Sequence, residues 1–205
     1  MTLVRTLLLV LPLLMQAGAA PGLVGRWDVV TRSRGGIGAW LTFAANGSCA
    51  QTTGAMVDGT WQLSGDRLTR AVVATPEGKV ETETFSMAME GDALRLGPGS
   101  ERPAMTRVGQ PTSGAPPIVG VWKWAHPAGG TAFEDYQSDG RYLFRLPIKT
   151  DPCQWAADGG ELRLTTRGET RAFQWRLAGN VMTLVHDGKS DAFRRESTDL
   201  SASQR

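Results

Sequence analysis

Leu23-Val24-Gly25-Arg26-Trp27 and Ile118-Val119-Gly120-Val121-Trp122 open two copies of one pattern. Behind each opening the same turns recur in the same order. Gly35-Gly36 corresponds to Gly129-Gly130, and Asn46-Gly47 to Asp139-Gly140. Ser64-Gly65-Asp66 corresponds to Asp158-Gly159-Gly160, Glu90-Gly91-Asp92 to Ala178-Gly179-Asn180, and Pro98-Gly99 to Asp187-Gly188. Repetition at this level is a tandem duplication, and it sets the architecture before any single element is read. Asn-Gly and Asp-Gly favour tight hairpins, because the turns that join antiparallel strands need positive φ at their centre. Each copy therefore reads as a string of hairpins.

The runs between these turns alternate apolar and polar, as half-buried antiparallel strands do. Trp27 and Val29 share a face opposite Arg26 and Asp28, while Trp122 and Trp124 share one opposite Lys123. Trp61 and Leu63 correspond to Trp155 and Ala157, and Phe85, Met87 and Met89 to Phe173, Trp175 and Leu177. No segment after residue 19 has a helical period. The runs number about eight per copy, so the expected fold is all-β: two tandem eight-stranded antiparallel meander barrels.

Register can be tested across the copies. The hairpin turning at Thr75-Pro76-Glu77-Gly78 is longer than its partner at Arg167-Gly168 by an even number of residues, about six, which keeps every side chain on its own face. Symmetric folding places Leu68 opposite Phe85 in one copy and Leu162 opposite Phe173 in the other. The next pair differs. Arg70 takes the inward phase that Leu164 fills in the second copy, and it falls opposite Glu83. A buried charge needs a partner, so an Arg70–Glu83 cross-strand ion pair is expected; the functional reading makes Arg70 a hook for an anionic ligand. Around Asp139-Gly140, Glu134 is expected opposite Arg145 on a solvated face, with Phe133, Tyr142 and Phe144 turned inward.

The N-terminus has the three-part layout of a secretory signal peptide: Arg5, the apolar run Leu7 to Met15, then Gln16-Ala17-Gly18-Ala19-Ala20, with cleavage expected after Ala19. The run is too short for a bilayer span. The divisions expected are a signal peptide at 1–19, barrels at 20–109 and 118–197, a Pro/Gly linker at 110–117 and a polar disordered tail at 198–205. The chain is expected to be periplasmic or extracellular, with no membrane span after cleavage. Its 22 basic and 20 acidic residues form no basic cluster, which argues against nucleic acid as a partner. Cys49 and Cys153, the two cysteines, lie at non-corresponding positions. They can bridge the copies in an oxidising compartment or stay as separate buried thiols, and sequence alone leaves both open.

A meander of short strands that begins Gly25-x-Trp27 or Gly120-x-Trp122, and ends on Arg107 in Thr106-Arg107-Val108 or on Arg194 or Arg195 in Phe193-Arg194-Arg195, resembles the lipocalin-like (calycin) barrels. The resemblance spans about Leu23 to Gly109 and Ile118 to Glu196. It implies that Trp27 and Trp122 plug the closed end of each barrel and that a last-strand Arg, Arg107 or Arg195, lies across the indole, a favourable cation–π contact. Short strands leave little depth above such a plug.

Catalytic equipment is sparse. His126 and His186 are in no metal-ligand spacing, no metal or other cofactor is expected, and there is no Gly-x-Ser-x-Gly elbow or phosphate-cradling glycine loop. The expectation is an exported, non-enzymatic binding protein that recognises an apolar small molecule or a protein surface. Arg70, Glu83, Phe133, Tyr142, Phe144 and Trp175 are the candidate ligand contacts, and the aromatic-rich second copy is the place expected to hold a pocket. Two alternatives stand beside it. Small exported barrels with a Gly-x-Trp opening also resemble bacterial inhibitors of secreted metalloproteases, and an envelope interaction module without a small ligand would use the duplication for avidity.

Overall fold

The computed structural model describes residues 20–73, 79–97 and 103–196. The signal-peptide segment 1–19, the turns at Thr75-Pro76-Glu77-Gly78 and Pro98-Gly99, and the tail 198–205 lie outside the described residues. Within them the chain is all-β, preceded by one 3-10 turn, Pro21–Leu23. The strands are β1 (Gly25–Val29), β2 (Ile37–Phe43), β3 (Ser48–Ser64), β4 (Arg67–Val73), β5 (Val80–Glu90), β6 (Ala93–Gly97) and β7 (Met105–Val108) in the first copy. In the second they are β8 (Gly120–Ala125), β9 (Thr131–Tyr136), β10 (Arg141–Asp158), β11 (Glu161–Thr166), β12 (Glu169–Ala178), β13 (Val181–His186) and β14 (Lys189–Glu196). All fourteen form one antiparallel meander that closes in a ring through β1 and β14. No helix among the described residues is long and apolar enough to cross a membrane.

The ring is crossed. β3 and β10, of 17 and 18 residues, pair with each other from Ser48 opposite Gln154 to Thr60 opposite Arg141. The crossing divides the ring into two lobes. The first lobe comprises β1, β2, the start of β3, the end of β10, and β11 to β14. The second comprises the end of β3, β4 to β9, and the start of β10. The packed units are therefore not the two copies. One apolar core joins Trp27, Leu41 and Phe43 to Trp155, Leu162, Leu164, Met182 and Phe193, and the other joins Trp61, Leu68, Phe85 and Leu94 to Trp122, Tyr136 and Tyr142. The boundaries 20–109 and 118–197 delimit the repeat in sequence, but each lobe draws strands from both sides of them. Segment 110–117 likewise connects β7 and β8, neighbours in the second lobe, and does not separate two domains.

The cause is the length of β3 and β10. Neither stretch contains a turn that would fold it back, so each runs on from one lobe into the other, and the runs expected to be eight strands per copy are seven. Gly54 makes the crossing close: a Cβ there would lie 2.3 Å from the Leu146 carbonyl oxygen and 2.9 Å from the Trp40 ring. Pro147 and Pro152 fall between the part of β10 paired with β9, Tyr142 to Arg145, and the part paired with β11, Gln154 to Asp158. They sit where β10 has one neighbour, the place in a sheet where a missing N–H is tolerated.

Registers expected from the repeat are met in both hairpins: Leu68 faces Phe85, Arg70 faces Glu83 and Leu162 faces Phe173. The pairing at Asp139-Gly140 differs by one. Gln137 N donates to Arg141 O at 2.9 Å, enclosing Ser138, Asp139 and Gly140, with Gly140 at φ +85°. A three-residue loop moves the register one place from that of a two-residue turn and exchanges the faces of one strand relative to the other. Glu134 thus sits opposite Phe144, and Arg145 opposite Phe133. The face is not solvated: Glu134 and Arg145 are both buried, and Phe133 packs with Val121 and Val108 on the side of the sheet away from Tyr142.

Candidate functional site

The two Trp anchors close corresponding ends of the lobes with matching bonds. Trp27 Nε1 donates to Leu23 O at 2.8 Å and Trp122 Nε1 to Ile118 O at 2.7 Å. Arg195 lies over Trp27, its Cζ 4.3 Å from the ring centroid, and Arg107 lies over Trp122 at 4.2 Å. Each guanidinium also donates to carbonyls of the segment before the Trp: Arg195 to Gly22 and Val24, Arg107 to Pro117 and Val119. The arginine of one copy covers the tryptophan of the other. Gly25 and Gly120, at φ +124° and +128°, make room, because a Cβ would stand 3.0 Å and 2.8 Å from those guanidinium nitrogens.

Above the plugs the interiors diverge, and two inward positions account for the difference. In the second lobe they hold Arg70 and Glu134. Arg70 Nη1 donates to Glu134 Oε2 at 2.7 Å and to Tyr142 Oη at 2.9 Å, Arg70 Nη2 donates to Glu83 at 2.7 Å, and Tyr136 Oη donates to Glu134 at 2.6 Å. Arg70 also stacks 4.5 Å from the Phe85 centroid. Burial works against its charge, but Tyr136, Glu134, Tyr142 and Glu83 outweigh it and keep the guanidinium protonated more firmly than usual. Burial, with the Glu134 carboxylate beside it, pushes the Tyr136 phenol well above its ordinary range. Among the described residues this network occupies the interior, and a void of about 10 Å³ beside Pro103, Met105, Trp124 and Glu134 is smaller than a ligand needs.

In the first lobe the corresponding positions hold Leu164 and Leu41. Correspondence comes from register: Arg70 is two residues beyond Leu68 and Leu164 two beyond Leu162, while Glu134 and Leu41 each lie two before the residue facing the Gly of Gly-x-Trp. Leucines need no partner and reach less far across the interior. The result is a cavity of about 560 Å³, within the range of small-molecule sites. Leu41, Leu164, Phe173, Leu184 and Phe193 form its apolar wall, and Gln51, Thr166 and six charged residues ring it. Below lies the Cys49–Cys153 disulfide, formed between directly opposed residues of β3 and β10 with Cα atoms 4.8 Å apart. At the rim, Lys149 bonds Asp151 at 2.7 Å and Arg167 bonds it at 2.5 Å. The hydrogen bond from Lys149, with Arg167 beside it, holds the Asp151 carboxyl below the ordinary range.

Of the contacts expected from sequence, Arg70, Glu83 and Tyr142 converge, but on one another in the filled lobe, where Phe144 packs against the same core. Phe133 lies on the far side of the sheet, and Trp175 belongs to the first lobe. Sequence reasoning did not single out the cavity residues Leu41, Leu164 and Arg171. The signal for them was present in the contrast between Arg70 and Leu164 at one phase. No family model matches the chain, nor does any curated protein or solved structure.

Proposed function

We propose that this is an exported binding protein that holds one apolar or amphipathic small molecule in the first lobe, while the second lobe serves as a rigid, filled partner. The observation that carries the reading is the cavity of about 560 Å³ behind an apolar wall, at the place where the sister lobe is packed with the Arg70–Glu134 ion network. A concave site with an apolar wall and polar groups at its rim suits recognition of a small molecule. The Trp plug under an arginine lid supports a likeness to lipocalin-like barrels, in which the open end receives the ligand. Export is supported by the signal-peptide layout of residues 1–19 and by a disulfide that persists in an oxidising compartment.

The test is titration with the uncharged fluorescent lipophile N-phenyl-1-naphthylamine. Saturable enhancement at one probe per chain is expected, and it is expected to vanish in Leu164→Trp, which fills the cavity, while Leu68→Met in the second lobe retains it. Absence of saturable binding, or binding indifferent to Leu164→Trp, would overturn the proposal.

A further inference from the structure

The rim of the first-lobe cavity divides into charges that are spent and charges that are not. Asp151 takes both Lys149 and Arg167. Arg171, Glu169 and Asp191 also line the cavity, and among the described residues none of the three has an ion-pair partner within 4.0 Å. The sister lobe shows why Arg171 is left over. Its counterpart there is Glu83, which faces Arg70 across the β4–β5 hairpin and pairs with it at 2.7 Å. In the first lobe the facing residue is Leu164, so Arg171 stands opposite an apolar wall residue with no counter-charge. Asp191 stands likewise opposite Leu184, another wall residue. One cation and two anions thus border an apolar chamber from different strands, β12 and β14.

Resting on the reading of this cavity as a ligand site, we infer that it takes an amphiphile with a zwitterionic head. Its apolar body lies against Leu41, Leu164 and Phe173, its anionic group meets Arg171, and its cationic group meets Asp191 and Glu169. A purely anionic head would be drawn to Arg171 but repelled by two carboxylates, and a purely cationic head would leave Arg171 unmatched. Only a head with both signs satisfies all three. Charge placed to reject the wrong partner is the usual source of such selectivity.

The experiment compares four ligands that share a twelve-carbon chain, each below its micellar concentration, by displacement of N-phenyl-1-naphthylamine. They are dodecylphosphocholine, dodecanoate, dodecyltrimethylammonium and dodecyl maltoside. Dodecylphosphocholine is expected to bind at least tenfold more tightly than the other three. Arg171→Gln is expected to remove its advantage over dodecyltrimethylammonium, and Asp191→Asn with Glu169→Gln to remove its advantage over dodecanoate. Both sets of side chains are exposed, so the fold is kept, which an unchanged urea unfolding midpoint would verify. Equal displacement by all four ligands, or a preference untouched by these variants, would overturn the inference and leave the cavity reading standing. Failure of the probe itself to bind would overturn the cavity reading.

Discussion

Two inward residues decide whether a lobe is filled or hollow. Arg70 and Glu134 fill the second lobe because they pair with each other, with Tyr142 accepting from Arg70 and Tyr136 donating to Glu134. A buried pair of this kind is held by mutual need: losing one partner strands the other, whereas replacing both with apolar groups is close to neutral. Arg70→Leu is therefore expected to lower stability by about 3–5 kcal/mol in urea unfolding. The double variant Arg70→Leu with Glu134→Leu, which copies the Leu164 and Leu41 of the other lobe, is expected to recover most of that loss. A double variant as unstable as the single one would show that the two residues do not act as a unit. Arg70 facing Glu83 was legible in the sequence, since register is fixed by an even loop difference. Glu134 was not, because Ser138-Asp139-Gly140 folds as a three-residue loop and the residues themselves are compatible with a two-residue turn.

Elements obey the same logic at greater length. The turn residues marked the tight hairpins whose turns lie among the described residues, and strand identity was legible from alternation. The exchange between lobes was not, because strand pairing beyond the hairpin is set by contacts that leave no local trace. One local signal pointed the other way: Asp58-Gly59 is a turn dipeptide between Asn46-Gly47 and Ser64-Gly65, and with Gly54 it makes a stretch look broken that runs on as one strand, β3. Both glycines serve close approach, since a Cβ at Gly59 would lie 2.2 Å from the Ala71 carbonyl oxygen. Gly54→Ala is expected to cost roughly 1–3 kcal/mol, the usual range for forcing atoms into packed space, read as a lower urea midpoint. An unchanged midpoint would show that β3 and β10 do not approach as described. The disulfide pins the same crossing inside the first lobe. Cys49→Ser with Cys153→Ser is expected to lose about 2–5 kcal/mol and to weaken probe binding, because the opposed strands form one wall of the cavity.

At the scale of the molecule, the lobes meet through buried charge. Asp28 bonds Arg26 at 2.8 Å and Arg145 at 2.6 Å, Arg145 reaches Asp58 at 2.8 Å, and Glu196 accepts from Arg141 at 3.2 Å and from Gln137 at 3.4 Å. Strands from both copies contribute, so this network couples the lobes. Burial, with Asp28 nearby, raises the Glu196 carboxyl above its ordinary value of 4.5, while Arg141 opposes the shift. A carboxyl whose folded value is raised favours the folded state when protonated, and that contribution is lost as pH climbs from the unfolded value through the folded one. The stability of the wild type relative to Glu196→Gln is therefore expected to fall as pH rises from about 4 to 7. A difference that is flat or rises over that range would contradict the placement of Glu196. The exchange of strands between copies is tested most directly by cross-strand NOEs at the two Trp anchors. Contacts are expected from Trp27 to Arg195 and from Trp122 to Arg107, joining β1 to β14 and β8 to β7. Contacts from Trp27 to Arg107 and from Trp122 to Arg195 would mean that each copy closes on itself, and would contradict the shared lobes and the cavity built from them.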